Sequence, residues 1–261
     1  AVWHEAGASA ANSGVQFTAI GSNGLFTRGE FVDAVKPKGH ALYPPTTLVE
    51  IENTHNRAGG VVFPQQGARA ICEAAAERGI ATYLDGARLW NTCAASGRTP
   101  KECAEPFDLV ALALSKGLGA PAGTVLAGTC ALMERAIRYR RMFGGAMRQV
   151  GILAAAGTYA IEYNLARLPE DHANARSMAA RIAASENVIL DLATVQTNII
   201  VFHLGPKACD AATFVTRAKE KGVLLFAFGP RTVRAVTHLD VSRDQCERAA
   251  GIMFGIAATE Q

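Results

Sequence analysis

Strongly apolar segments alternate with amphipathic ones along the first half of the chain. Residues 46–51 alternate in polarity and are rich in β-forming side chains, while residues 80–84 and 109–114 are nearly all apolar, so each segment predicts a strand. Over residues 68–76, apolar side chains recur at helical spacing between a proline and a glycine. Apolar strands separated by amphipathic helices are typical of a parallel sheet that carries helices on both faces.

Weaker signals complete this half of the chain. Residues 14–20 and 124–127 predict two further short strands. Thr27 and Glu30 have the spacing of a capping box, which predicts a helix that stops before Pro37. We therefore assign these elements to the same sheet-based unit.

The pattern changes after residue 130. It is helical to about residue 184, with interruptions at Gly144-Gly145 and Pro169. A smaller set of elements follows, with strands predicted at 197–203, 223–226 and 233–238 and helices predicted at 211–221 and after Ser242. We predict an α/β fold in two domains: residues 1–165 with a mostly parallel sheet and helices on both faces, and a smaller C-terminal α+β domain in residues 166–261.

Composition and charge exclude several classes of protein. The chain has 261 residues, of which 49% are hydrophobic and 19% charged, as expected for a folded chain. Its 26 basic and 23 acidic residues give a net charge of +3, too small to indicate a nucleic-acid partner. The six cysteines lie far apart without a CxxC pair, which favours reduced thiols over a metal site. We expect a cytoplasmic protein with no metal, nucleic-acid or membrane partner.

Three chemically active side chains each follow a predicted strand. They are His55, Asp85 and Lys116, and small or flexible residues come after each of them. In open parallel sheets, ligands bind outside the carboxyl ends of the strands. The sequence therefore predicts one site at this edge of the sheet, with an imidazole, a carboxylate and an amine.

Lys116 lies between an apolar strand and a glycine-rich turn. Partial removal from water would lower the pKa of its amine and favour a Schiff base with an aldehyde cofactor. The alternative is an ordinary surface lysine, and the glycine-rich turn by itself argues only weakly against it.

Asp85 ends an apolar strand, where a carboxylate requires a partner. The protonated nitrogen of pyridoxal phosphate is one such partner. A helix cap or an internal ion pair with Arg88 would explain the same pentapeptide equally well. Asp85 and Lys116 are 31 residues apart, which fits one helix and one strand and lets both reach a single ring.

Five ordered motifs carry a resemblance to a known family. They are ENTHN at 52–56, LDGAR at 84–88, LSKGLGAP at 114–121, GGAMRQ at 144–149 and VTHLD at 236–240. In this order they resemble the low-specificity L-threonine aldolases, pyridoxal phosphate enzymes of the aspartate aminotransferase-like fold (fold type I). The resemblance covers nearly the whole chain.

The resemblance implies roles for residues around the cofactor. Lys116 would be the Schiff-base lysine, and Asp85 would face the pyridine nitrogen. Arg88 would also contact the cofactor, and Arg148 would reach a cofactor phosphate across a subunit interface.

It also implies roles toward the substrate. Arg88 and Arg234 would hold its carboxylate, and His55 would be the base near its hydroxyl. The implied reaction is retro-aldol cleavage of L-threonine or L-allo-threonine to glycine and acetaldehyde, in a homo-oligomer (a dimer or a homotetramer).

The chain departs from the family pattern at its start. Family members carry several dozen further residues before the position of Ala1, including a phosphate-binding turn and a ring that stacks on the cofactor; His4 is out of register with that ring. We therefore expect part of the site to come from a segment that was cleaved or lies on a separate chain.

Two other functions remain open at this point. The first is a related lyase that acts on bulkier hydroxy amino acids such as phenylserine, or that performs β-elimination. The second is a non-catalytic remnant, against which the retained charged residues argue.

Overall fold

In the computed structural model, which describes residues 5–259, the first half of the chain forms a mostly parallel sheet. Its strands lie in the order β1 (Leu48–Glu52), β2 (Ala81–Gly86), β3 (Leu109–Ala113) and β4 (Thr124–Gly128). The first three are parallel, and β4 runs antiparallel to β3. This arrangement confirms the predicted mostly parallel sheet.

Within residues 5–259, seven α-helices accompany this sheet: α1 (Ala8–Ser13), α2 (Arg28–Ala34), α3 (Gln65–Ala76), α4 (Leu89–Ser96), α5 (Pro100–Ala104), α6 (Cys130–Met142) and α7 (Gly151–Asn164). The predicted capping box starts α2, since Thr27 accepts the Glu30 amide and Glu30 accepts the Thr27 amide. Helix α3 buries Ile71 and neighbouring small side chains against Ile51 and Leu84 of the sheet. The apolar periodicity of the sequence thus becomes one core between α3 and the strands.

A second, antiparallel sheet follows in the order β5-β6-β8-β7. Its elements are α8 (Leu168–Ala183), β5 (Val188–Ile189), β6 (Ile199–Leu204), α9 (Ala211–Glu220), β7 (Phe226–Gly229), β8 (Thr232–Val236) and α10 (Arg243–Ala258). Met178, Phe202, Phe214 and Met253 lie in its core, which is separate from that of the first sheet. The structure thus has an α/β part and a smaller antiparallel part; the boundary at residue 165 stays a prediction.

Buried polar side chains join the two parts. We call Asn91, Asp171, His172, Asn198 and Thr237 the interdomain polar cluster; all five are buried. The Asn91 amide donates to His172 Nε2 (3.1 Å) and to Asn198 Oδ1 (3.3 Å), and Asn198 donates to the Thr237 carbonyl (2.8 Å). The Thr237 hydroxyl donates to the Asp171 carbonyl (2.6 Å). These bonds fix the second sheet against α4 of the first part.

Two predicted strands differ from the structure. Residues 14–20 lie in the described range but pair with no strand there, and all but Ile20 are exposed, so the predicted strand is wrong. The strand predicted at 223–226 begins only at Phe226, because Val223 still donates its amide to Ala218 at the end of α9. Within residues 5–259, no helix is long and apolar enough to cross a membrane.

Candidate active site

The ends of three parallel strands bring the predicted polar residues to one edge of the sheet. Glu52 of β1 lies opposite Asp85 of β2, and Asp85 lies opposite Ala111 of β3. His55 follows Glu52 by three residues, and Lys116 follows the end of β3 by three. We call Glu52, His55, Asp85, Arg88, Lys116 and Arg234 the strand-end cluster.

Asp85 presents a half-buried carboxylate to this edge. Its Oδ1 accepts the Ala87 amide at 3.0 Å, which tightens the turn after β2. Helix α4 is capped at Arg88 rather than at Asp85, and among residues 5–259 no cationic side chain forms an ion pair with Asp85. The helix-cap and ion-pair explanations therefore do not apply, and the carboxylate remains available to a cationic ligand.

Lys116 follows β3 in a tight turn. Its carbonyl accepts the Gly119 amide (2.8 Å) and His238 Nε2 (3.0 Å). Partial burial, then the positive charge of Arg88, lower the pKa of the Lys116 amine, against the opposing charges of Asp85 and Glu52. A lowered pKa increases the fraction of neutral amine, which is the nucleophilic form.

Two arginines share this region. Burial and the charge of Arg234 both lower the pKa of Arg88, so the two guanidinium groups interact electrostatically. Arg234 is at the same time held from several sides: Nη1 donates to Asn56 Oδ1 (2.9 Å), and Cζ lies 4.7 Å from the centre of the Phe228 ring. Its Nε is buried and, within the described residues, has no hydrogen-bond partner. Two half-buried guanidinium groups with spare donors suit a carboxylate or phosphate ligand.

His55 is held by its own loop. Its Nδ1 accepts the Ala58 amide at 3.2 Å, and its Nε2 lies 3.6 Å from Glu52 Oε2. The ring also packs on Gly24, where a Cβ would lie 2.6 Å from the ring. With Nδ1 accepting, the proton sits on Nε2 and points toward Glu52. Glu52 and His55 therefore form a pair that can pass a proton between them.

Arg148 lies apart from this cluster. It follows α6 in an exposed segment, and within residues 5–259 it makes no hydrogen bond or ion pair with the strand-end cluster. Its predicted phosphate contact thus stays a prediction that requires a second subunit. His4 lies outside the described residues.

Sequence reasoning missed three contributors. Glu52 and Asn56 belong to the first motif and contact His55 and Arg234, while His238 in the last motif contacts the Lys116 carbonyl. Their place inside the motifs was the available signal. Their contacts join residues as much as 178 positions apart, which no local pattern reveals.

These residues fit pyridoxal phosphate in their chemistry. The cluster offers an amine of lowered pKa, a carboxylate free to accept from a ring N–H, and guanidinium groups with an unused buried donor. Among the described residues, no group of three or more His, Cys, Asp or Glu side chains is arranged to hold a metal ion.

Comparison with known proteins agrees with this chemistry. The profile of the beta-eliminating lyase family matches residues 1–204. The low specificity L-threonine aldolase of Escherichia coli (strain K12) is 42% identical over 205 residues, which cover 78% of this chain and 59% of that protein. The chain therefore spans less than two thirds of the length of this relative.

Solved structures share the fold. The Leishmania major threonine aldolase superposes with a TM-score of 0.75 at 21% identity, over 98% of this chain and 74% of that one. A Thermus thermophilus aspartate aminotransferase superposes with a TM-score of 0.65 at 13% identity, over 90% of this chain and 61% of that one. These similarities confirm the predicted aspartate aminotransferase-like fold.

Proposed function

Because the chain belongs to the beta-eliminating lyase family, we propose that it carries out the pyridoxal phosphate-dependent cleavage of L-threonine and L-allo-threonine to glycine and acetaldehyde. One observation carries this proposal: the Asp85 carboxylate, which forms no ion pair among the described residues, and the Lys116 amine, whose pKa is lowered, follow adjacent strands of one sheet. The name of the E. coli relative supports the choice of substrate.

The cofactor, when bound, supplies an electron sink for the pair of electrons released from the Cα–Cβ bond. Lys116 supplies the amine that holds the cofactor's aldehyde carbon, and its lowered pKa favours that bond. Asp85 keeps a proton on the ring nitrogen because an adjacent carboxylate stabilises the positive charge. Both roles need groups that water does not fully solvate, and both side chains are partly buried.

Arg88 and Arg234 would orient the substrate. Two guanidinium groups can hold one carboxylate by paired hydrogen bonds, which fixes the rotation about Cα and so selects the bond that breaks. Arg234 is prepared for this role, since Asn56 and the Phe228 ring already hold it. Such positioning can contribute several kcal/mol to the selection of one bond.

His55 and Glu52 would handle the proton of the substrate hydroxyl. Because His55 Nδ1 accepts the Ala58 amide, Nε2 faces Glu52 Oε2 at 3.6 Å, so the Glu52 carboxylate would accept the hydroxyl proton with the imidazole N–H beside it. This arrangement makes the pair, rather than His55 alone, the proposed base.

A second copy of the chain would complete the assembly. Every residue of β4 is exposed, and α6 and the segment after it expose the apolar side chains Ile137, Met142, Phe143 and Met147. An apolar surface of this kind marks a protein interface. We propose a homo-oligomer, a dimer or homotetramer, in which this face is covered and Arg148 reaches the partner's cofactor phosphate. Light scattering with gel filtration tests the assembly.

We also infer a cytoplasmic location. The cysteines of the described chain are free thiols, four of them buried, which fits a reducing compartment. Fractionation of cells that express the protein tests this location.

A second reaction has some support. The family name refers to β-elimination, which would convert threonine to 2-oxobutyrate and ammonia instead of glycine and acetaldehyde. Bulkier substrates such as phenylserine would give benzaldehyde by the first route. A non-catalytic remnant would give none of these products.

Product analysis separates these possibilities. The chain is supplied with pyridoxal phosphate and L-threonine, L-allo-threonine or phenylserine, and aldehydes, glycine and 2-oxobutyrate are quantified. We expect glycine and acetaldehyde in equal amounts from threonine, and a much smaller yield with Asp85→Asn. Release of 2-oxobutyrate alone, or yields that do not depend on Lys116 and Asp85, would contradict the proposal.

A further inference from the structure

His238 connects the second sheet to the turn that carries Lys116. Its Nε2 lies 3.0 Å from the Lys116 carbonyl oxygen, and its Nδ1 lies 3.0 Å from Asp240 Oδ2. The two contacts join residues 122 positions apart in the chain. His238 therefore links the β8–α10 loop directly to the backbone of the proposed cofactor lysine.

Both partners of the ring can only accept hydrogen bonds. A peptide carbonyl and an ionised carboxylate each require an N–H from the imidazole, and a neutral imidazole has a single N–H. Only the imidazolium satisfies both contacts at once. When the ring loses a proton, the charged and therefore stronger Asp240 partner retains the remaining N–H, and the bond to Lys116 is lost.

The loop holds the ring in place. Thr237 is buried and bonded to Asp171 and Asn198, which fixes the residue before His238. Leu239 packs so closely on Gly119 that any Cβ there would overlap it. The loop that carries the ring is therefore anchored at Thr237 and packed against the Lys116 turn at Leu239.

The charged groups around His238 come from three elements. Asp240 lies in its own loop, Lys116 in the turn after β3, and Asp171 on α8, where Arg167 pairs with it. The nearest charged partner is the Asp240 carboxylate, whose side chain is largely exposed (78%). Asp240 thus determines which ring nitrogen keeps the proton.

We propose that His238 is a positioning residue that, as an imidazolium, holds the Lys116 turn, and that Asp240 makes this hold depend on pH. The consequence for cofactor attachment rests on the proposed function, in which Lys116 carries the cofactor. The hold on the turn itself does not depend on any cofactor.

Amide hydrogen exchange at Gly119 tests the hold without a cofactor. The Gly119 amide donates to the same Lys116 carbonyl, so its protection reports on the turn. In the wild-type chain we expect protection to fall as the pH rises through the deprotonation of the ring. His238→Ala should lower protection by about two- to tenfold at low pH, the worth of one net hydrogen bond, and should match the wild type once the wild-type ring is deprotonated.

Two conservative variants give the sharper test. In His238→Gln the side-chain amide donates to the carbonyl at every pH, so protection should stay high without a pH step. In Asp240→Asn the amide can donate to Nδ1, which leaves the proton on Nε2, so the step should also disappear. His203→Ala, on an exposed histidine of β6 bonded to Thr232, is the control and should match the wild type.

A second readout follows Lys116 itself. Pyridoxal phosphate is added at a series of pH values, reduced with borohydride, and the adduct on Lys116 is quantified by peptide mass spectrometry. The pH profile of this adduct should lose the same step in His238→Gln and Asp240→Asn. Equal Gly119 protection in the wild type and His238→Ala at low pH, or a pH step that survives in His238→Gln, would overturn the proposal. If Gly119 responds as expected but no variant forms the adduct on Lys116, the hold by His238 stands and the proposed function fails.

Discussion

The strand-end cluster and the interdomain polar cluster both remove polar groups from water, but they differ in how those groups are partnered. In the interdomain cluster, the Asn91 and Asn198 amides and the Thr237 hydroxyl all donate to protein acceptors, and Asp171 is paired with Arg167. In the strand-end cluster, Asp85 forms no ion pair among the described residues, and Arg234 retains a buried Nε without a partner.

The difference separates stability from function. A buried polar group with a partner stabilises one arrangement of the chain, whereas a half-buried charge without one weakens the fold unless a ligand supplies the partner. We therefore expect substitutions in the strand-end cluster to reduce activity and leave stability nearly unchanged. Substitutions in the interdomain cluster should do the reverse.

The largest effect is expected for Lys116→Ala. Without the amine there is no covalent attachment, so aldehyde release should fall by about three orders of magnitude or more. The free energy of unfolding, measured in urea, should change by less than about 0.5 kcal/mol, since the amine is only partly buried and forms no hydrogen bond or ion pair among the described residues. Lys101→Ala, at an exposed lysine on α5, is the control and should retain full activity. A comparable loss of activity in Lys116→Ala and Lys101→Ala would show that Lys116 has no special role in catalysis.

Arg167→Ala should produce the largest loss of stability. It leaves the Asp171 carboxylate, which is fully buried (0%), without its counter-ion, at a cost of about 3–5 kcal/mol. Arg243→Ala breaks the same i,i+4 spacing at an exposed pair and should cost about 0.3–0.5 kcal/mol. Burial raises the pKa of Asp171, so the defect of Arg167→Ala should shrink in acid, where the carboxyl is protonated. Equal costs in the two arginine variants would contradict this interpretation.

Asp85→Asn should reduce activity by about 10²–10³-fold, since it removes the electrostatic partner of the ring nitrogen. Stability should change little, because Asp85 forms no ion pair among the described residues and asparagine keeps an oxygen that can accept the Ala87 amide. Asp108→Asn provides the contrast: its carboxylate accepts the Thr82 amide (2.8 Å) and hydroxyl (3.0 Å). Asp108→Asn should lose about 1–2 kcal/mol of stability and retain the aldehyde-releasing activity. A stability loss at Asp85 as large as at Asp108 would show that Asp85 is structural.

The smallest effect concerns pH. Burial lowers the pKa of His172 from 6.5 to about 4, so the folded chain keeps the ring neutral while the unfolded chain binds a proton. Stability should therefore fall by up to about 3 kcal/mol as the pH drops from about 6.5 to about 4. His172→Gln, which keeps an acceptor for Asn91, should remove most of this dependence. Urea unfolding at three pH values measures the free energy of unfolding of the wild type and of His172→Gln. If stability falls with pH as steeply in the variant as in the wild type, other groups cause the dependence.

Local signals explain what the sequence could predict. The capping boxes at Thr27 and Ser242 and the apolar periodicity before Ala76 each involve residues a few positions apart, and the helices begin and end near the predicted positions. The chemically active residues were found because strand ends are predictable and parallel strands share an edge.

Long-range pairing explains the rest. The direction of β4 depends on its pairing with β3 rather than on its own residues. The interdomain polar cluster and the contact of His238 with Lys116 join distant positions, so no local pattern indicates the partners of His172 or His238. The roles of Glu52 and Asn56 become visible only when their distances to His55 and Arg234 are known.

The central claim is that Lys116 and Asp85 contact opposite ends of one pyridoxal phosphate molecule: Lys116 binds its aldehyde carbon, and Asp85 lies at its ring nitrogen. The most direct test is the ¹⁵N chemical shift of the ring nitrogen, measured with ¹⁵N-labelled cofactor fixed to Lys116 by borohydride, in the wild type and in Asp85→Asn. We predict a protonated nitrogen in the wild type and an unprotonated one in Asp85→Asn at neutral pH. A shift that does not depend on residue 85 would contradict the claim.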